Sequence, residues 1–172
     1  MSDMVVTDSV VIDGDGATQL FVAVPDGWRV GEVGGADAVL WNPAVCSTFR
    51  TNVMLSCDAI ARHHQLSSVA VHTLRHLHEC YGALEVRGEV DLLLGDAPCV
   101  VRMVLFDSVT TRERLAQFQA FADGGLDESG TQRLIFQIVA TCLAEDIAAC
   151  GDDLAHIIAT AQVRRSPTSV HQ

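Results

Sequence analysis

The chain has 172 residues, of which 49% are hydrophobic and 19% charged, a size and composition suited to one domain with its own core and unlike a disordered segment. Its 22 acidic side chains outnumber 11 basic ones, and a net charge of −11 repels phosphate backbones, so no nucleic acid is expected as a partner. Apolar runs stay well short of the roughly 18 residues a membrane-spanning helix needs, so no membrane span is expected either.

Residues 1–17 read as a loosely ordered segment or one short strand, with Gly14-Asp15-Gly16 as a turn. They lack a basic start followed by an apolar stretch, and no lipobox cysteine is present, which sets the expectation of a cytoplasmic protein. Gln19–Val24 reads as a strand entering the turn Pro25-Asp26-Gly27, with Trp28 closing over one end of a sheet. Residues 29–36 read as a loop ending in Gly34-Gly35, and 38–41 as a short strand stopped at Pro43. A strand then covers 51–59, with Val53, Leu55 and Cys57 on one side.

Residues 66–81 carry a helical period through Ser67, Ala70, Leu74, Leu77 and Tyr81, and Gly82 stops it. Four segments, 84–94, 98–107, 111–122 and 131–142, form a meander turned at Gly95-Asp96, Asp107-Ser108 and Asp123-Gly124-Gly125. A second helix is expected over 152–163, capped by Asp152 or Asp153, with Leu154, Ile157, Ile158 and Ala161 as its apolar stripe. Residues 164–172 read as a flexible tail. The expected fold is a single α+β domain over 18–163, two helices on a mostly antiparallel sheet of six to seven strands.

The last segment shows what its sheet faces. Leu134, Phe136, Ile138 and Ala140 make one side wholly apolar, while Ile135, Gln137, Val139 and Thr141 make the other mixed. Arg102, Gln117 and Gln119 extend the mixed side into neighbouring segments, so one face is sealed and the other half covered, as at pockets and partner surfaces. Arg102 interrupts the apolar run Val100–Phe106. Such a charge needs a carboxylate, for which Glu113 is a candidate, or an open concavity.

Three blocks resemble the PsbP-like superfamily, which includes photosystem II subunit P, the Ran-binding Mog protein and DcrB-like bacterial proteins. Within it the chain is similar to the actinobacterial LpqN/LpqT lipoprotein-like group. The blocks are the strand into Val24-Pro25-Asp26-Gly27-Trp28, the stretch Phe49-Arg50-Thr51-Asn52-Val53, and the strand Leu134–Cys142 followed by the segment Asp153–Thr160. The resemblance implies an α/β/α sandwich around an antiparallel sheet. It also implies a protein that binds or stabilises other proteins and is not an enzyme, with one branch chaperoning secreted effectors. The chain departs from the lipoprotein group in lacking a signal and a lipidated cysteine.

Five of the seven histidines, His63, His64, His72, His76 and His78, fall within sixteen residues. His72, His76 and Cys80 share the side of the first helix opposite its apolar stripe, a spacing at which two donors can reach one metal ion. A polar helix face accounts for them without metal, and a metal would need a third ligand from another element or subunit, so no cofactor is expected. His78 is expected half-buried at the stripe's edge. The cysteines Cys46, Cys57, Cys80, Cys99, Cys142 and Cys150 show no C-x-x-C spacing and read as free thiols, most of them buried. There is no G-x-S-x-G elbow, Cys46-Ser47-Thr48 has no local base, and the glycine pairs lack a phosphate-loop context.

The expected function is a non-enzymatic adaptor, or secretion-related chaperone, that binds another protein through the mixed face. Its surface would centre on Arg102, Gln117, Gln119 and Gln137, with Trp28 and Trp41 at the margins. The alternative is a small-molecule or lipid-binding module in the same concavity. A half-covered sheet is costly to leave in water, so a homodimer is expected.

Overall fold

A computed structural model describes residues 9–44 and 48–166. In chain order the strands are β1 (Ser9–Asp13), β2 (Thr18–Ala23), β3 (Arg29–Val33), β4 (Ala36–Trp41) and β5 (Asn52–Ala61), then helix α1 (Leu66–Tyr81). They are followed by β6 (Leu84–Leu94), β7 (Ala97–Asp107), β8 (Arg114–Leu126), β9 (Gln132–Leu143), a 3-10 turn (Ala144–Asp146), α2 (Ile147–Thr160) and β10 (Gln162–Arg165). Seven strands form one antiparallel sheet in the order β3-β4-β5-β9-β8-β7-β6. Three more form a second antiparallel sheet in the order β1-β2-β10.

Period-two alternation in the meander builds two cores, one on each side of the large sheet. On the apolar side, Phe136, Ile138, Ala140, Leu55, Val53 and Ala120 pack against Leu20 and Val22 of β2 and Leu154, Ile157 and Ile158 of α2. On the mixed side α1 lies over β6, β7 and β8. There Leu77 joins Val104, Phe106, Leu115 and Leu143, while Ala70 joins Val100, Phe121 and Ile135. The α+β sandwich read from the sequence is therefore present, with a small sheet beside α2 as part of its second outer layer.

Several boundaries differ from expectation, while Ser9–Asp13 supplies the short strand that is one of the two readings of residues 1–17. Residues 29–36 hold a strand, because Gly35 takes the left-handed conformation (φ 89°) that reverses the chain and lets Arg29–Val33 pair with β4. Its side chains face water on both sides, which leaves no alternation to read. Helix α2 begins at Ile147 and ends at Thr160, because Ile147 and Cys150 extend the buried stripe toward the N-terminus. Asp152 and Asp153 therefore lie inside the helix and cap nothing. Val10 and Ile12 of β1 and Val163 of β10 pack on the core, so strands occupy both ends of the described chain. The outermost residues 1–8 and 167–172, with Cys46 and Ser47, lie outside the described residues. Among those described, no helix is long and apolar enough to cross a membrane.

Candidate docking face

The mixed face is only half roofed. Side chains from β4, β5 and β9 that point the same way as α1, namely Val39, Trp41, Met54, Ser56, Gln137 and Val139, are part-buried. The register aligns Val39, Met54, Val139, Gln119, Arg102 and Glu89 as one rung across six strands. The rung is apolar at its open end and polar beneath the helix. Between α1 and the end of β5 runs a groove of about 840 Å³, walled by Asp58, Ile60, His64, Ser68, Val71, His72 and Arg75. Gln137 lies on its floor and donates from Nε2 to Asp58 Oδ2. The volume lies within the range of ligand and peptide clefts.

Arg102 lies under α1, only 2% exposed, between the two apolar clusters of that face. Its Nε donates to Gln119 Oε1 at 2.7 Å, and the guanidinium lies 5.3 Å from the Phe121 ring centroid. Gln119 Nε2 donates onward to Gln117 Oε1, and Gln117 Nε2 to Thr141 Oγ1 at 3.2 Å. The carboxylate near Arg102 is Glu89, with Oε2 3.7 Å from Nη1, and not Glu113, whose Oε1 accepts from Thr48 Oγ1. Burial pushes the Arg102 guanidinium below its ordinary pKa, and Glu89 offsets part of that shift. Nη2 has no hydrogen-bond partner among the described residues.

These positions move the centre of the expected surface. Arg102 and Gln119 (0% exposed) are sealed by α1, so they support the face from below and cannot be its centre. Gln117 and Gln137 remain part-exposed, and Trp41 stands at the open margin. Trp28 is on the opposite side, 7% exposed in the main core, where its Nε1 donates to Asp153 Oδ2 at 3.3 Å. Sequence reasoning missed Val39 and Met54, and put Val139 on the mixed face without counting it in the binding surface. The usable signal was in β5, where Met54, Ser56 and Asp58 alternate against the buried Val53 and Leu55.

On α1, His72, His76 and Cys80 are exposed as expected, and Cys80 Sγ lies 3.7 Å from His76 Nε2. His78 is exposed and not half-buried: its Nδ1 lies 2.7 Å from the Gly82 carbonyl oxygen, which turns the ring toward the helix end. Among the described residues no three His, Cys, Asp or Glu side chains gather as a metal site. All five described cysteines are free thiols. Burial pushes the thiols of Cys99 and Cys142 up to about 12, and burial with the nearby Asp37 does the same to Cys57. Those three are held as neutral thiols and are not nucleophiles.

No family model matches the chain, and no curated protein does. Solved structures do. LpqN, involved in cell envelope biogenesis of Mycobacterium tuberculosis, is similar at 13% identity and a TM-score of 0.71, over 92% of each chain. Cyanobacterial PsbP (CyanoP) from Synechocystis is similar at 8% identity and 0.61, over 95% of this chain and 96% of that one. The Saccharomyces cerevisiae Ran-binding protein Mog1p is similar at 10% identity and 0.52, over 91% and 95%. The chain has the PsbP-like fold that these structures share.

Proposed function

We propose that the chain is a non-enzymatic binding module, an adaptor or secretion-related chaperone, that receives another protein on the open half of its mixed face. One observation carries this reading: α1 covers β6–β8 and leaves Val39, Trp41, Met54 and Val139 part-exposed beside a groove of about 840 Å³. The part-buried apolar side chains continue along β5 and β9, through Ser56 and Gln137, toward a groove whose wall carries Asp58, His64, His72 and Arg75, and apolar anchors beside polar groups are the usual anatomy of a protein interface. The Ran-binding protein Mog1p has the same fold, which supports a protein partner. Beneath α1 the polar groups Arg102, Gln119, Gln117 and Thr141 bond to one another, a relay that fixes the floor of the face.

A photo-crosslinking residue at Met54 tests the reading. It should capture one defined partner, and the same residue at the exposed Ala155 of α2, on the other side of the molecule, should not. Purified partner should then bind the Val139→Asp variant at least about tenfold more weakly, a loss of about 1.4 kcal/mol. Equal capture at both positions overturns the proposal. The groove's apolar wall of Ile60, Val69 and Val71 favours a second reading, a small molecule or lipid, which native mass spectrometry of the purified protein would show as added mass.

A further inference from the structure

We infer that the outer ridge of α1 carries half of a metal site: His76 Nε2 and Cys80 Sγ form a bidentate chelate for a thiophilic divalent cation of the zinc class, and the same pair from a second copy completes it. The two residues are four apart and stack on one side of the helix. Their donor atoms are already 3.7 Å apart. With Zn–N near 2.0–2.1 Å and Zn–S near 2.3 Å, a tetrahedral ion separates adjacent nitrogen and sulfur donors by about 3.6 Å. The bite is therefore set in the folded helix, and both side chains are exposed, so no burial opposes ion entry.

His72 is not a third donor to the same ion. It lies eight residues from Cys80, about 12 Å along the helix axis, and it lines the groove beside Arg75. The missing donors must therefore come from outside the chain. Two copies related by a two-fold axis through the ion supply two nitrogens and two thiolates, the set of a closed tetrahedral site. Each Cys80 gives its Sγ proton to water as the sulfur–metal bond forms, and each His76 binds as the neutral imidazole. Two thiolates neutralise the dication, and the bond offsets the mutual repulsion of two chains at −11 each. This contact lies on α1, clear of the open sheet half through which the sequence predicts a homodimer, and does not depend on the proposed docking there.

The test uses tag-free full-length protein, stripped with EDTA and kept reduced with TCEP, titrated first with cobalt(II) and then with zinc. Cobalt should bring up the near-ultraviolet thiolate charge-transfer band together with the intense visible bands of tetrahedral cobalt. Zinc should bleach both and double the mass seen by light scattering at half an equivalent. His76→Ala and Cys80→Ser should each lose the bands and the mass doubling, while His72→Ala keeps both. No thiolate band, a band that survives His76→Ala, or loss in His72→Ala overturns the chelate. A dimer that persists in EDTA, or a band with monomer mass, overturns completion by a second copy. Far-UV circular dichroism checks that the exposed substitutions leave the helix intact.

Discussion

Arg102 sits where two apolar clusters meet, and its neighbours decide what its removal does. Arg102→Ala opens a void under α1 and strands Gln119 Oε1, for a cost of about 2–4 kcal/mol in urea unfolding. Arg102→Met fills the volume and lets Glu89 turn to water but still leaves Gln119 Oε1 without its donor, so it should cost about 1–2 kcal/mol, less than Arg102→Ala. Equal losses for the two variants would show that the polar relay, and not packing, carries the position. The thiols differ as sharply. Iodoacetamide on native protein followed by peptide mapping should label Cys80, whereas Cys99, Cys142 and Cys57, raised to about 12, should stay unmodified until urea is added. Asp127 supplies an acid-side response. Hydrogen bonds from Ser129 Oγ and from the backbone N–H groups of Gln132, Thr131 and Gly130 hold its carboxyl below its ordinary value. A depressed folded pKa gives stability that is present above the unfolded value, near pH 4, and is lost as pH falls through the folded one. Asp127→Asn should accordingly flatten the pH dependence of unfolding below about pH 4 and leave its slope at pH 7 unchanged.

At the scale of elements, α1 and the meander were legible and the short edge pieces were not. Ala70, Leu74, Leu77 and Tyr81 repeat at helical spacing and Gly82 ends the repeat, so Leu66–Tyr81 could be read to the residue. Strands β6 to β9 carry period two with glycine or aspartate turns between them, and the structure follows the reading to within a few residues, except that Asp123-Gly124-Gly125 forms a bulge inside β8 and the turn falls at Asp127–Gly130. Strand β3 has no buried face, and α2 begins five residues early because the acidic pair Asp152-Asp153 suggested a cap where the helix already runs. The docking face was half legible. Alternation revealed a mixed side, but which of its residues α1 would roof depends on where a connecting helix lands, and nothing in local periodicity encodes that. Strand β6 raises a separate issue: it is an outer strand of 11 residues with Val90, Leu92 and Leu93 exposed. A long apolar edge invites pairing with other chains, so Leu93→Lys should raise the concentration at which light scattering first detects aggregates.

For the whole molecule, the apolar layer beneath α2 joins everything else. Leu154 is fully buried against both sheets' core residues, so Leu154→Ala should cost about 2–5 kcal/mol and lower the melting temperature by about 4–20 °C. Trp28 and Asp153 tie the β2–β3 turn to the same helix, and Asp153→Ala should cost only about 0.5–1.5 kcal/mol. A melt in which the two losses were comparable would mean that the tie, and not the packing, anchors α2.

The pairing of β5 with β9 bears on how the protein is made. About 70 residues separate Ala61 from Gln132, and a ribosome adding roughly 5–20 residues per second takes some 4–14 s to deliver them. For that interval the nascent chain presents the inner edge of β5, Val53 and Leu55 included, with no neighbour to cover it. Synthesis is therefore the stage of this protein's life most in need of a folding helper, whatever it later binds.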